Sequence, residues 1–151
     1  ARSHIHGLRA LGAHVTLVGP PGLVDDSFTS ILSGDEVAVS HDFDASLAES
    51  DAIIMLRIQR ERGSSSLIPS DYRSGYGMTA QRAARLGPRQ LILHPGPVNR
   101  GVELDSVVLD EHPGSVVLEQ VAAGVLVRAA VLKRAVAGGS GALDGNSRAG
   151  S

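Results

Sequence analysis

Asp51-Ala52-Ile53-Ile54-Met55-Leu56, running directly into Arg57-Ile58-Gln59-Arg60-Glu61-Arg62, is the stretch on which the fold turns. A short apolar run that stops abruptly at charge reads as a strand buried on both faces, the kind found in parallel sheets. The flanking residues fit that reading. On the N-terminal side, Ala45 to Glu49 makes a brief helical turn, and Glu36 to Ser40 alternates and is β-branched, a second strand. A polar helical stretch is expected around Ser27 to Leu32, and His14 to Val18 is a short β-rich run stopped by Gly19-Pro20-Pro21-Gly22. Ile5, Leu8 and Leu11 fall three apart, on one face of a helix that Gly12 ends.

On the C-terminal side, Gly63-Ser64-Ser65-Ser66 is loop chemistry, and Thr79 to Leu86 is a helix closed by Gly87-Pro88. Gln90 to Leu93 is a fourth apolar run. From Ser115, read as an N-cap, a long helix reaches about Ala137. It is apolar around most of its circumference and is expected to be largely buried. Strands alternating with helices predict an α/β fold, a three-layer parallel sheet with helices on both faces. A βα repeat opens on a strand, whereas this sequence opens on a helix. A first strand, central in the sheet, is therefore expected upstream of Ala1, as if the chain were cut from a longer one. The reading gives one domain over 1–137 and a flexible Gly/Ser-rich tail over 138–151.

The bulk numbers narrow the function. Apolar residues at 42% and charged residues at 20% are ordinary for a soluble domain, and 151 residues suffice for a core. The net charge is -2 and the only aromatics are Phe28, Phe43, Tyr72 and Tyr76, which argues against a nucleic-acid partner. With no cysteine there is neither a disulfide framework nor a thiolate metal site, which suits the cytoplasm. The most apolar stretch, Val121 to Leu132, is interrupted by Arg128 and falls short of the roughly 20 residues a membrane span needs. No P-loop, dinucleotide fingerprint or nucleophile elbow is present, and no histidine pair has metal-ligand spacing. Neither cofactor nor metal is expected.

Ligands of open α/β sheets bind beyond the carboxyl ends of the strands. Three segments lie there: Gly19 to Gly22, Arg57 to Arg62, and His94-Pro95-Gly96-Pro97-Val98-Asn99-Arg100-Gly101. If the backbone stays extended past Leu56, Arg57, Gln59 and Glu61 share one side. A guanidinium and an amide two residues apart suit a small carboxylate, with Glu61 able to hold Arg57. The same residues also read as a solvated charged run at a strand end. In the later loop, Pro95 and Pro97 lack N–H donors and bracket Gly96, so the carbonyls of all three could accept from a ligand amide. A stiff connection without a ligand is the other reading. A structural hydrogen bond suits His94 better than catalysis.

At these segments the sequence resembles aspartate carbamoyltransferase. Arg57-Ile58-Gln59-Arg60-Glu61-Arg62 is similar to the family's R-x-Q-x-E-R motif, and His94 through Glu103 to its H-P-G-P-x-N-R-G-x-E loop. Tyr76-Gly77-Met78-Thr79 is similar to its Y-G-(L/M)-T turn. Ala1-Arg2-Ser3 resembles the opening of its aspartate-binding half, and Ser115 to Val121, with Gly124 and Arg128, its closing helix. The resemblance implies a Rossmann-like carbamoyltransferase domain and a reaction of L-aspartate with carbamoyl phosphate, giving N-carbamoyl-L-aspartate in pyrimidine synthesis. It implies that Arg57 and Gln59 bind aspartate, and that Glu61 and Arg62 position their loop. The carbonyls around Pro95, Gly96 and Pro97 would hold the carbamoyl amide. It further implies a homotrimer and a separate carbamoyl-phosphate domain.

This sequence departs from the family in lacking that domain's S-T-R-T-R phosphate loop and an arginine three residues before Arg2. Ala122-Ala123 also stands where a polar pair is commoner. The isolated chain is therefore expected to be inactive. Ornithine-directed relatives carry H-C-L-P and a D-x-x-x-S-M-G signature, and neither is found here. A stand-alone, non-catalytic α/β module that binds an anion or a protein is the alternative from another class.

Overall fold

The computed structural model describes residues 2–25, 37–58 and 68–139. The chain divides into two compact units, Ala1–Val117 and Leu118–Ser151. The helix expected around Ser27 to Leu32, the Gly63 to Ser66 loop and the last twelve residues of the expected tail lie outside the described residues.

In the first unit, α1 (Arg2–Ala10) buries Ile5 and ends before Gly12, as its sequence predicts. Leu11 lies past the helix end and is exposed. Strands β1 (Val15–Val18) and β2 (Val37–Ser40) pair in parallel, Val15 opposite Val37 and Val18 opposite Ser40. With Ile5, Val37, Val15 and Leu17 they make a small apolar cluster.

Helix α2 (Phe43–Glu49) starts two residues before the expected turn because Asp42 caps it, its carboxylate accepting from the Ala45 N–H at 2.9 Å. Phe43 and Leu47, four apart, supply its buried face. Strands β3 (Ala52–Ile54) and β4 (Leu91–Leu93) then pair in parallel, Ala52 opposite Leu91 and Ile54 opposite Leu93. Between them lie α3 (Tyr72–Tyr76) and α4 (Ala80–Ala83). Thr79 caps α4, accepting from the Arg82 N–H at 3.3 Å. The turn at Gly77 admits no side chain, since a Cβ there would lie 2.7 Å from the carbonyl oxygens of both Arg73 and Val102.

The main core joins β3, β4 and their helices through Phe43, Ile53, Met55, Met78, Ile92 and Leu104. Complete burial of Ile92 alone stabilises by roughly 1.5–3 kcal/mol.

Three expectations change. The single sheet is present as two parallel pairs, β1–β2 and β3–β4, with no ladder between them among the described residues. Ser115 is not an N-cap. The Ile92 N–H donates to Gly114 O and the Val116 N–H to Ile92 O, so 114–116 runs beside β4 as a strand-like bridge. A helix absent from the sequence reading, α5 (Ser106–Glu111), precedes it.

The second unit carries α6 (Val117–Gly139), which extends two residues past the expected end. From Leu118 on, its large apolar side chains are exposed, Leu118 at 72%, Leu126 at 74% and Val136 at 73%, against the expectation of burial. A helix apolar on all sides needs covering on all sides, and its own unit contains no second described element to do so.

Candidate functional site

Parallel pairing decides what meets what. Because Ile54 is opposite Leu93, Arg57 and Gly96 each lie three residues beyond the paired ends, at the same carboxyl edge. The Met55 N–H, donating to Leu93 O at 2.8 Å, carries the ladder one residue past β3 and fixes the exit of both segments. Arg57 is half-buried. Gln59, Glu61 and Arg62 lie outside the described residues.

The loop after β4 is built on its own side chains. His94 and Glu103 are fully buried, with His94 Nε2 3.4 Å from Glu103 Oε1. His94 Nδ1 accepts from the Gly96 N–H at 2.8 Å, which leaves Nε2 to carry the ring proton toward the carboxylate. The same Glu103 oxygen accepts from the Asn99 N–H at 2.6 Å. Burial works to raise the Glu103 carboxyl, yet His94 and the Asn99 N–H hold it below its ordinary value. The Asn99 side-chain amide donates to Ile58 O at 3.0 Å, tying this loop to the arginine segment.

The carbonyls of Pro95, Gly96 and Pro97 accept no hydrogen bond from the described residues, and Pro95 and Pro97 are exposed. The Gly96–Pro97 bond is cis. Gly96 has φ 67°, in the left-handed region, and nothing lies within 4 Å of where a Cβ would stand. Glycine is needed there for its backbone conformation, while the space above it is open to a ligand. Gly96→Ala should cost about 1–2 kcal/mol, read as a lower denaturant midpoint with an unchanged slope.

The first candidate segment, Gly19 to Gly22, is spent on structure. Gly19 O bonds His41 Nδ1 at 2.7 Å, and Pro20 O accepts from the N–H groups of Leu23 and Val24. Among the described residues no group of three or more His, Asp or Glu could hold a metal ion, and no helix is long and apolar enough to cross a membrane.

The pH response follows from the depressed carboxyls. Glu103 lies below its ordinary 4.5, and the Arg73 guanidinium holds Asp105 below 3.8. Groups lowered by folding stabilise fully above their unfolded values and lose that contribution as pH falls through the folded ones. The melting temperature should therefore be steady above about pH 5 and fall steeply below about pH 4, with a shallower acid limb in Glu103→Gln.

Sequence reasoning named Arg57 and the proline carbonyls as candidates but gave Asn99 and Glu103 no role, although both lie inside the quoted loop. Their partners are 41 and 4 residues away, and only the fold shows the first of these.

Parallel strands whose carboxyl ends carry a half-buried arginine and, tied to its segment by Asn99, a carbonyl-lined loop define an α/β domain with a candidate ligand site at that edge. Residues 1–135 match the family model for the aspartate/ornithine carbamoyltransferase Asp/Orn binding domain, and the chain belongs to that family. The aspartate carbamoyltransferase catalytic subunit of Opitutus terrae is 50% identical over 135 residues, covering 87% of this chain and 41% of that protein. The one from Acidothermus cellulolyticus is 46% identical over 147 residues, 96% of this chain and 44% of that protein. The chain thus spans about two fifths of these curated relatives. Aspartate transcarbamoylase from Trypanosoma cruzi, solved with carbamoyl aspartate and phosphate, shares the fold with TM-score 0.68 at 23% identity, over 85% of this chain and 43% of that one.

Proposed function

We propose that this chain is the aspartate-binding half of an aspartate carbamoyltransferase. The observation that carries the reading is the shared carboxyl edge, where Arg57 and the carbonyls of Pro95, Gly96 and Pro97, unengaged among the described residues, emerge two to four residues past paired strand ends. A carboxylate and a carbamoyl amide are the groups such a pair recognises, one by a charged fork and the other by acceptors alone. Arg57, with Gln59, binds an aspartate carboxylate, while Glu61 and Arg62 position the segment. The three carbonyls hold the carbamoyl amide and turn its carbonyl carbon toward the aspartate amine.

The amine nitrogen bonds to that carbon, the carbon–oxygen bond to phosphate breaks, and the amine loses a proton. N-carbamoyl-L-aspartate and phosphate result. Catalysis rests on placement and on electrostatics aimed at the developing charge, so the site calls for no cofactor. The phosphate-holding residues belong to a companion carbamoyl-phosphate domain. The assembly implied by the resemblance is a cytoplasmic homotrimer serving pyrimidine synthesis.

The test is assembly. This chain is produced together with the part of the Opitutus terrae catalytic subunit that it does not match, and carbamoyl-aspartate formation is assayed against each part alone. Activity in the combination only is the expected result. Binding of aspartate without turnover in any combination would favour the non-catalytic module instead.

A further inference from the structure

We propose that Asn99 is a positioning residue that couples the two ligand-holding segments, its side chain holding Ile58 and its backbone held by the buried Glu103 carboxylate. The inference rests on the carbamoyltransferase reading of the site.

Glu103 is the fixed post. It is completely buried, and its carbonyl accepts from the Met78 N–H at 2.9 Å while Met78 O accepts from the Asp105 N–H at 3.1 Å. Its carboxylate therefore stands on backbone anchored in the core. Asn99 hangs on that post through a 2.6 Å bond from its N–H, which is charge-assisted and correspondingly strong. Its carbonyl accepts from the Val102 N–H at 3.1 Å, closing the turn. The side-chain amide, which adds to the hold on the Glu103 carboxylate, reaches across 41 residues of sequence to Ile58 O at 3.0 Å. Ile58 directly follows Arg57. A donor is required at that position because its partner is a carbonyl, so aspartate, of the same shape, would set two acceptors against each other.

The consequence is directional. The carbonyl loop from Pro95 to Pro97 lies between His94, which faces Glu103, and Asn99, which is bonded to it. Any shift of that loop is passed through Asn99 to the backbone beside Arg57. The carbamoyl-binding loop thereby sets the position of the aspartate-binding arginine, and aspartate recognition depends on a residue that touches neither substrate.

Asn99→Asp tests this in two settings. In the assembled enzyme described above, the KM for aspartate should rise about tenfold, the loss of one hydrogen bond to a carbonyl turned into misplacement of Arg57, with kcat changed by less than about threefold. A lower melting temperature with an unchanged aspartate KM would reduce Asn99 to a structural role and overturn the proposal. In the 151-residue chain itself, nitrogen-15 spectra of Asn99→Asp and of Glu103→Gln should both shift the Arg57 and Ile58 amides. Unmoved amides would overturn the coupling. If the wild-type assembly makes no carbamoyl aspartate, the parent reading fails, and the spectra decide the coupling alone.

Discussion

Arg57→Ala in the assembled enzyme should lower kcat/KM for aspartate by roughly 10²–10³, the scale of losing one well-placed charged donor from a site that works by electrostatics. Most of the loss should appear as a higher aspartate KM, since in the proposed site the guanidinium holds a carboxylate that persists from ground state to product. The KM for carbamoyl phosphate should move little. Arg57→Lys should recover only part of the loss, because an ammonium replaces a planar fork by a point charge. Steady-state kinetics with each substrate varied in turn checks this, and unchanged aspartate kinetics would remove Arg57 from the site. The residue is half-buried at a strand exit, so truncation should leave the fold intact.

Arg82→Leu should have the largest effect on stability, about 1–3 kcal/mol, as expected when a buried acceptor loses its donor. The Arg82 side chain is only 10% exposed and lies over the Phe43 ring, 5.3 Å from its centroid. Its guanidinium donates to the Asp44 carboxylate at 2.8 and 3.1 Å. It also donates to Ser74 O and Gly77 O, both at 2.8 Å, and to Gly75 O at 3.2 Å. These carbonyls end α3 and begin the Gly77 turn, where no further helical N–H is available to them. Leucine would fill the volume and leave the buried Gly77 carbonyl without its side-chain donor, so the loss comes from that unmet acceptor more than from the half-exposed ion pair. A domain of this size has a total stability of about 5–15 kcal/mol, so a loss of that size is a substantial share of it. Chemical denaturation of wild type and variant measures it.

The sequence revealed the strands wherever burial on both faces left a clear apolar run. Val15–Val18, Val37–Ser40, Ala52–Ile54 and Leu91–Leu93 all fall inside the runs read from residue type alone. Helix α5 escaped because Ser106 to Glu111 buries one side chain, Val108, and six residues are too few for a periodicity. Ser115 was misread because a serine before an apolar helix looks like a cap, whereas here its backbone lies beside Ile92 and its hydroxyl donates to Leu109 O. Burial of α6 could not be judged from its own residues, because a helix apolar all round reveals its need for cover and not the source of it. In the candidate site, Arg57 and Pro95 to Pro97 could be named from sequence because charge and missing donors are properties of single residues. The Asn99 to Ile58 bond could not be, since it exists only once two strands 39 positions apart, Ile54 and Leu93 among their pairs, lie side by side.

The most direct measurement is a crystal structure of the assembled protein with N-carbamoyl-L-aspartate and phosphate bound. The account predicts one product carboxylate on the Arg57 guanidinium and the carbamoyl amide donating to carbonyls among Pro95, Gly96 and Pro97, with Asn99 still on Ile58. Product bound away from both segments, or held there with Arg57 turned outward, would contradict it.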